Sequence, residues 1–293
     1  MRRRPRSLRF VTTLTAFLLA TLGVFGGCKA TASDTSLQAA ESGWTLVWSD
    51  EFNAPDGSRP DPAKWKFDVG GNGWGNDELE YYTRRPENSF VRGGNLVIQV
   101  QKESFTGPDQ VTRYYTSARM TTKGLFAQAY GRFEARIKIP RGQGLWPAFW
   151  LLGNDIGKVG WPADGEIDIM ENIGREPFSI HGSMHGPGYS GDDGLTSEYK
   201  LPGGGRFFDD FHVFAIEWDP KAVRFFVDQE LYATFTPSRL PSGTKWVFDH
   251  PFFIILNVAV GGDWPGPPDS TTVFPQVMLV DYVRVYKPSR PSR

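Results

Sequence analysis

The chain has 293 residues, 22% of them charged, and its 32 Lys and Arg against 33 Asp and Glu leave a net charge of −1. So even a balance gives no electrostatic footprint for nucleic acid. The lone cysteine, Cys28, excludes an intrachain disulfide, so stability has to come from an apolar core.

The N-terminal end reads as a leader. Arg2, Arg3, Arg4, Arg6 and Arg9 occur without an acid, an apolar stretch runs from Phe10 to Phe25, and Gly26-Gly27-Cys28 follows. A basic start, a short apolar run and small residues predict a secretory signal over 1–27, too short for a span of ~20 residues. Cys28 stands where a bacterial lipoprotein carries its lipid, which predicts an exported protein anchored to the membrane. Ordinary cleavage near Ala30-Thr31-Ala32 is the alternative and gives a freely secreted one. Loss of 1–27 removes five Arg and no acid, so the net charge becomes −1 − 5 = −6. Residues 28–42, rich in Ala, Ser and Thr, read as a flexible tether.

From Trp44 onward short alternating runs are broken by Gly, Pro, Asn and Asp. Asn95 to Val100, Gly131 to Ile139, Val223 to Asp228 and Val280 to Tyr286 each show the period of two of a strand covered on one face. Long helical periodicity is missing, and 33 Gly with 22 Pro suit many turns. These features predict an all-β fold, a jelly-roll sandwich of two antiparallel sheets, as one domain over 43–288 with a tail at 289–293. Four of the ten Trp sit in Gly- and Pro-rich segments: Trp74, Trp146, Trp161 and Trp264. Indole faces suit the flat C–H faces of pyranose rings, so together they predict a sugar cleft.

The most informative segment is Glu166-Ile167-Asp168-Ile169-Met170-Glu171. In a regular strand Glu166, Asp168 and Met170 share one face and Glu171 lies on the other. A one-residue bulge after Asp168 brings all three acids to one face, and bulges commonly re-aim side chains beside active sites. The same alternation also suits a solvated strand face. Paired carboxylates flanking a glycosidic bond are the machinery of glycoside hydrolysis. Crowded acids cannot all ionise, so one is pushed to hold a proton near neutral pH.

Beyond this segment lie Trp48-Ser49-Asp50-Glu51-Phe52, Gly75-Asn76-Asp77-Glu78-Leu79, Ser117-Ala118-Arg119-Met120 and Gly144-Leu145-Trp146-Pro147-Ala148-Phe149-Trp150. His181-Gly182-Ser183-Met184-His185-Gly186 and Gly261-Gly262-Asp263-Trp264-Pro265-Gly266 follow. In order and spacing these blocks resemble glycoside hydrolase family 16, specifically its bacterial laminarinase-like endo-β-1,3-glucanases, over essentially the whole of 43–288. The resemblance implies a concave sheet holding a β-glucan chain and a retaining mechanism. Glu166 is then the nucleophile, Glu171 the general acid and base, and Asp168 the acid that adjusts their charge. The inserted Met170 implies the laminarinase branch.

The resemblance further implies that His185 lines the site near Glu171, with His181 a lesser candidate. Trp146, Trp150 and Trp161 become glycone-side platforms, Asn76, Glu78 and Arg119 hydroxyl partners, and Trp264 a wall elsewhere in the cleft. Asp77 and Glu80 depart from the Asn and Gln that relatives often carry. The residues show no zinc-type cluster and no acidic calcium loop. The resemblance nevertheless implies a structural calcium on the convex side, held by backbone carbonyls and an Asp near the C-terminus at Glu51, Gly94 and Asp281, and no cofactor for catalysis. The expected protein is a monomeric endo-β-1,3-glucanase acting on a laminarin-type polysaccharide or oligosaccharide. The alternatives are the same mechanism on mixed-linkage glucan, agarose or carrageenan, and a non-catalytic β-glucan-binding protein.

Overall fold

The runs with a period of two become strands, and their apolar residues meet between two sheets. The computed structural model describes residues 43–289. The leader, the tether with Cys28 and the last four residues lie outside the described residues. Among those described, no helix is long and apolar enough to cross a membrane.

The larger sheet holds β1 (Trp44–Asp50), β3 (Glu80–Tyr82), β4 (Ser89–Arg92), β5 (Asn95–Thr106), β6 (Thr112–Ser117), β8 (Gly131–Lys138), β13 (His212–Asp219), β14 (Ala222–Val227), β15 (Glu230–Phe235) and β17 (Gln276–Pro288). Its order is β15-β14-β13-β8-β17-β5-β6-β3, with β1 on β17 and β4 on β5. The smaller sheet holds β2 (Lys66–Asp68), β7 (Arg119–Thr121), β9 (Leu145–Gly153), β10 (Glu166–Glu171), β11 (Ser179–His185), β12 (Leu195–Lys200) and β16 (Phe252–Val260) in the order β12-β11-β10-β9-β16-β7-β2. Pairing is antiparallel apart from β3 against β6. The two open sheets, packed face to face, are the expected jelly-roll sandwich.

Phe133, Phe149, Phe214, Trp218, Phe225 and Phe252 are among the large side chains buried in the layer between the sheets. Burying a side chain of this size contributes about 1.5–3 kcal/mol. Between β11 and β15 there is no room for a side chain: a Cβ on Gly182 would come within 2.3 Å of the Tyr232 hydroxyl. At the ends of the described residues, Ser289 N–H donates to Gly43 O at 2.7 Å. The first residue read as tail is therefore tied to the domain.

The smaller sheet offers its other face to the surface, and alternation decides what stands there. On β9, Leu145, Phe149 and Leu151 point into the core, while Trp146 and Trp150 are only partly covered. β16 is apolar throughout except for one residue, Asn257. β10 carries the acids between these strands and β11.

Candidate active site

The bulge expected in the acidic segment is present. Against β9, Asp168 pairs with Trp150 and Met170 with Phe149, which leaves Ile169 as the extra residue. Against β11, Asp168 faces Ser183 and Glu171 faces His181, with the same shift between them. Ile167, Ile169 and Met170 consequently all enter the core, and Glu166, Asp168 and Glu171 emerge together on the outer face. The extra residue serves to place the third acid beside the first two.

Each acid has its own holder. Trp161 Nε1–H donates to Glu166 Oε2 at 3.0 Å, and Trp146 Nε1–H donates to Glu171 Oε1 at 2.9 Å. Asp168 is 3% exposed, and its Oδ2 lies 3.1 Å from His185 Nε2. The same imidazole nitrogen is 3.9 Å from Glu166 Oε1. His185 thus belongs to the Glu166–Asp168 pair. The register sets His185 opposite Glu166 and His181 opposite Glu171, and the His185 charge also reaches Glu171. Gly194 lets His185 lie flat, since a Cβ there would meet the ring at 2.5 Å.

Burial is the leading electrostatic effect at all three acids. It pushes Glu166 up to about 8, with the Asp168 charge adding and His185, Trp161 and Arg119 opposing. Asp168 also rises to about 8 through burial, against a hydrogen bond with Glu166. Glu171 rises well above the usual carboxylate range, from burial first and then the charges of Asp168 and Glu166. The cluster keeps protons at neutral pH, which a general acid requires.

These shifts carry a stability cost with a definite sign. An unfolded Asp titrates near ~4 and the folded Asp168 near about 8, so between those values the unfolded chain binds fewer protons. Stability falls as pH rises through that window. Asp168→Asn is therefore expected to melt higher than the parent by ~3 °C or more near pH 8, with the gain vanishing near pH 4. It should also move the acid limb of kcat/KM to lower pH, because Glu166 loses a like charge. A melting difference that does not change with pH would contradict the assignment.

The aromatic residues divide between the two ends of the acid row. Trp161, 50% exposed, stands at Glu166. Trp146 stands at Glu171, edge to face with Trp264 at 5.4 Å, and Trp264 in turn meets His181 at 5.0 Å. The expected grouping of Trp146 with Trp161 is thus corrected: Trp146 lies on a strand and shares its end of the cleft with Trp264. His181, whose Nε2 is 2.9 Å from Glu176, also lines a cavity of about 730 Å³ together with Glu176, Ser179, Glu198 and Lys200.

Trp150 lies mid-row, opposite Asp168 in register. Arg119 is sandwiched between the rings of Trp74 and Trp150, 4.7 Å from each centroid, and donates to Asp68 at 3.0 Å. Asn76 donates to Glu78 Oε1 at 3.0 Å. Gly262 lets the Trp264 loop pass Asn76, since a Cβ would meet the Asn76 carbonyl at 2.9 Å. Two residues of this flank, Asn257 and Tyr82, were not singled out from the sequence. Asn257 accepts from Trp150 Nε1–H at 2.7 Å and donates to the Tyr82 hydroxyl at 3.0 Å. Its signal was available: it is the single polar residue in an apolar strand.

The expected calcium ligands lie away from this face. Arg284 holds Glu51 through two hydrogen bonds of 2.9 and 2.7 Å, and Arg136 holds Asp281 at 2.9 Å. The expectation places main-chain carbonyls and one Asp carboxylate around the ion, and of these donors the Asp281 carboxylate already faces a guanidinium. Gly94, a backbone position at positive φ, adds no side-chain ligand.

The model for Glycosyl hydrolases family 16 matches residues 76–284. A beta-glucanase of Rhodothermus marinus is 46% identical over 283 residues, covering 93% of this chain and 94% of that protein. The solved laminarinase catalytic domain of Thermotoga maritima has a TM-score of 0.79 at 53% identity, covering 83% of this chain and 98% of that one. SCLam, a non-specific endo-β-1,3(4)-glucanase solved with a bound glucan trisaccharide, has a TM-score of 0.77 at 39% identity, covering 84% and 95%.

Proposed function

The chain belongs to glycosyl hydrolase family 16, and from that premise we propose that it cleaves internal β-1,3-glucosidic bonds of laminarin-type glucans with retention of configuration. The observation that carries this reading is the bulged β10, which sets Glu166 and Glu171 on one face with Asp168 between them.

In the first step Glu171 gives its proton to the glycosidic oxygen while a Glu166 oxygen forms a bond to the anomeric carbon. The carbon–oxygen bond to the leaving chain breaks, and a covalent glycosyl-enzyme results. Asp168 is hydrogen-bonded to Glu166 in the buried row, and Glu166 has to lose its proton before one of its oxygens can attack. The Trp161 N–H fixes one Glu166 oxygen and leaves the other for the substrate. In the second step Glu171, now a carboxylate, takes a proton from water. The water oxygen bonds to the anomeric carbon, and Glu166 departs with its original charge. The Trp146 N–H holds Glu171 in place through both steps, stabilising the anion it becomes.

Trp161 at one end, Trp150 mid-row and Trp146 with Trp264 at the other end offer ring faces along a chain longer than one sugar. That favours an endo-acting enzyme. The test is reducing-sugar release by residues 30–293 from laminarin, curdlan, lichenan, xyloglucan and agarose. Laminarin is expected to be cleaved fastest, lichenan more slowly and agarose not at all. Cleavage confined to a galactan would move the substrate, and binding to laminarin without cleavage would overturn the reading.

A further inference from the structure

One buried acid has no part in the mechanism above. Glu78, Glu80 and Tyr82 alternate onto one face of the chain, so two carboxyl groups and a hydroxyl stand in a row. Glu80 is wholly buried and Glu78 is 4% exposed. Glu80 Oε2 accepts the Val260 N–H at 2.6 Å. Its Oε1 is also buried, and among the described residues no donor meets it. The Glu78 carboxyl is its charged neighbour on the same face.

We propose that Glu80 is a positioning residue of the glucan cleft: protonated, it donates a hydrogen bond to Glu78 and thereby fixes the direction of a donor chain that ends at the Trp150 platform. The proposal rests on the cleft assigned above.

The direction is legible bond by bond. Trp150 Nε1–H donates to Asn257 Oδ1, the Asn257 amide donates to the Tyr82 hydroxyl, and that hydroxyl donates to Glu78 Oε2 at 2.9 Å. Asn76 donates to the other Glu78 oxygen. Every donor points toward Glu78, so Glu78 has to be an acceptor on both oxygens. An adjacent buried carboxylate would repel it, since two acids side by side in a dry site do not both ionise. A proton on Glu80 Oε1 removes the repulsion and gives that orphaned atom a partner. Linked bonds of this kind strengthen one another, and the last of them orients the indole of Trp150 opposite Asp168.

The charged and titratable groups around Glu80 are consistent with this. Glu78 and Tyr82 lie on its own segment, and the Arg119 charge on β7 reaches Tyr82. From β16 the contact is a main-chain N–H. Burial and the Glu78 charge both raise Glu80 well above the usual carboxylate range.

The test compares Glu80→Gln with Glu80→Met in the full chain. Gln keeps both a donor and an acceptor, while Met keeps the volume and neither. On whichever polymer of the panel is cleaved, Glu80→Gln is expected to hold KM within about twofold of the parent. Glu80→Met should raise it about tenfold with kcat little changed, the cost of one lost aligning hydrogen bond. Because Glu80→Met risks misfolding, infrared difference spectra of the parent against Glu80→Gln provide a second measurement, independent of any substrate. The parent should show a protonated carboxyl stretch at neutral pH that Glu80→Gln removes. No loss of that band, or equal KM in the two variants, would overturn the proposal. Absence of cleavage on every polymer, with the band lost as expected, would count against the proposed reaction and leave the protonated Glu80 in place.

Discussion

Glu166→Gln is expected to remain folded, to bind laminarin, and to turn it over at least ~10⁴-fold more slowly than the parent, about 5 kcal/mol of transition-state stabilisation. An amide of the same shape keeps a hydrogen-bond acceptor for the Trp161 N–H but cannot form a stable ester with the anomeric carbon. The fold should not suffer, because Ile167 and Ile169 anchor the strand in the core and the substitution removes a carboxylate from a crowded site. Melting at neutral pH should therefore be unchanged or higher, since burial and Asp168 penalise the Glu166 charge. Reducing-sugar assays with a melting curve on the same sample check both parts. Turnover within about a hundredfold of the parent would place the nucleophile elsewhere.

The second large effect concerns Glu171, and there the loss should depend on the substrate. Glu171→Ala removes the group that protonates the leaving oxygen, a contribution of about 10²–10⁴-fold. On laminarin the full loss is expected. On an aryl β-glucan oligosaccharide whose phenol leaves without help, formation of the glycosyl-enzyme should be nearly unimpaired. Turnover would then stall at deglycosylation, because no base activates water. Azide needs no base, so it should restore turnover and yield the β-glycosyl azide, with Glu166 displaced from the anomeric carbon. Equal losses on both substrates, with no response to azide, would contradict the acid–base role. The Trp146 indole, left without its acceptor, supplies an independent fluorescence signal that the cleft has stayed folded.

These roles were legible because they follow from local arithmetic. Three acids in six residues with a period of two demand either a split across two faces or a bulge, and the bulge falls after Asp168 as the spacing required. The alternating runs likewise specify strands and a sandwich, because one buried face per strand leaves few other ways to pack. The partner of each acid was less accessible. His185 and His181 have the same spacing preference for the outer face, and only the turn between β10 and β11 decides which of them meets Glu166. Trp146 was read as a loop residue because Gly144 and Pro147 flank it, yet the strand begins before it. The flank from Trp150 to Glu78 was the least accessible, because Asn257 and Tyr82 are 175 positions apart. The ion pairs of the larger sheet were equally hidden: Arg136 and Arg284 reach Asp281 and Glu51 only after the chain has folded.

The most direct test of the central claim is proton NMR of the first reducing ends released from laminarin, recorded before mutarotation. Two inversions, through a glycosyl-enzyme on Glu166 and then attack by water under Glu171, predict that the β-anomer appears first and the α-anomer only later. An α-anomer appearing first would mean single displacement by water, and would contradict the assignment of Glu166 as nucleophile.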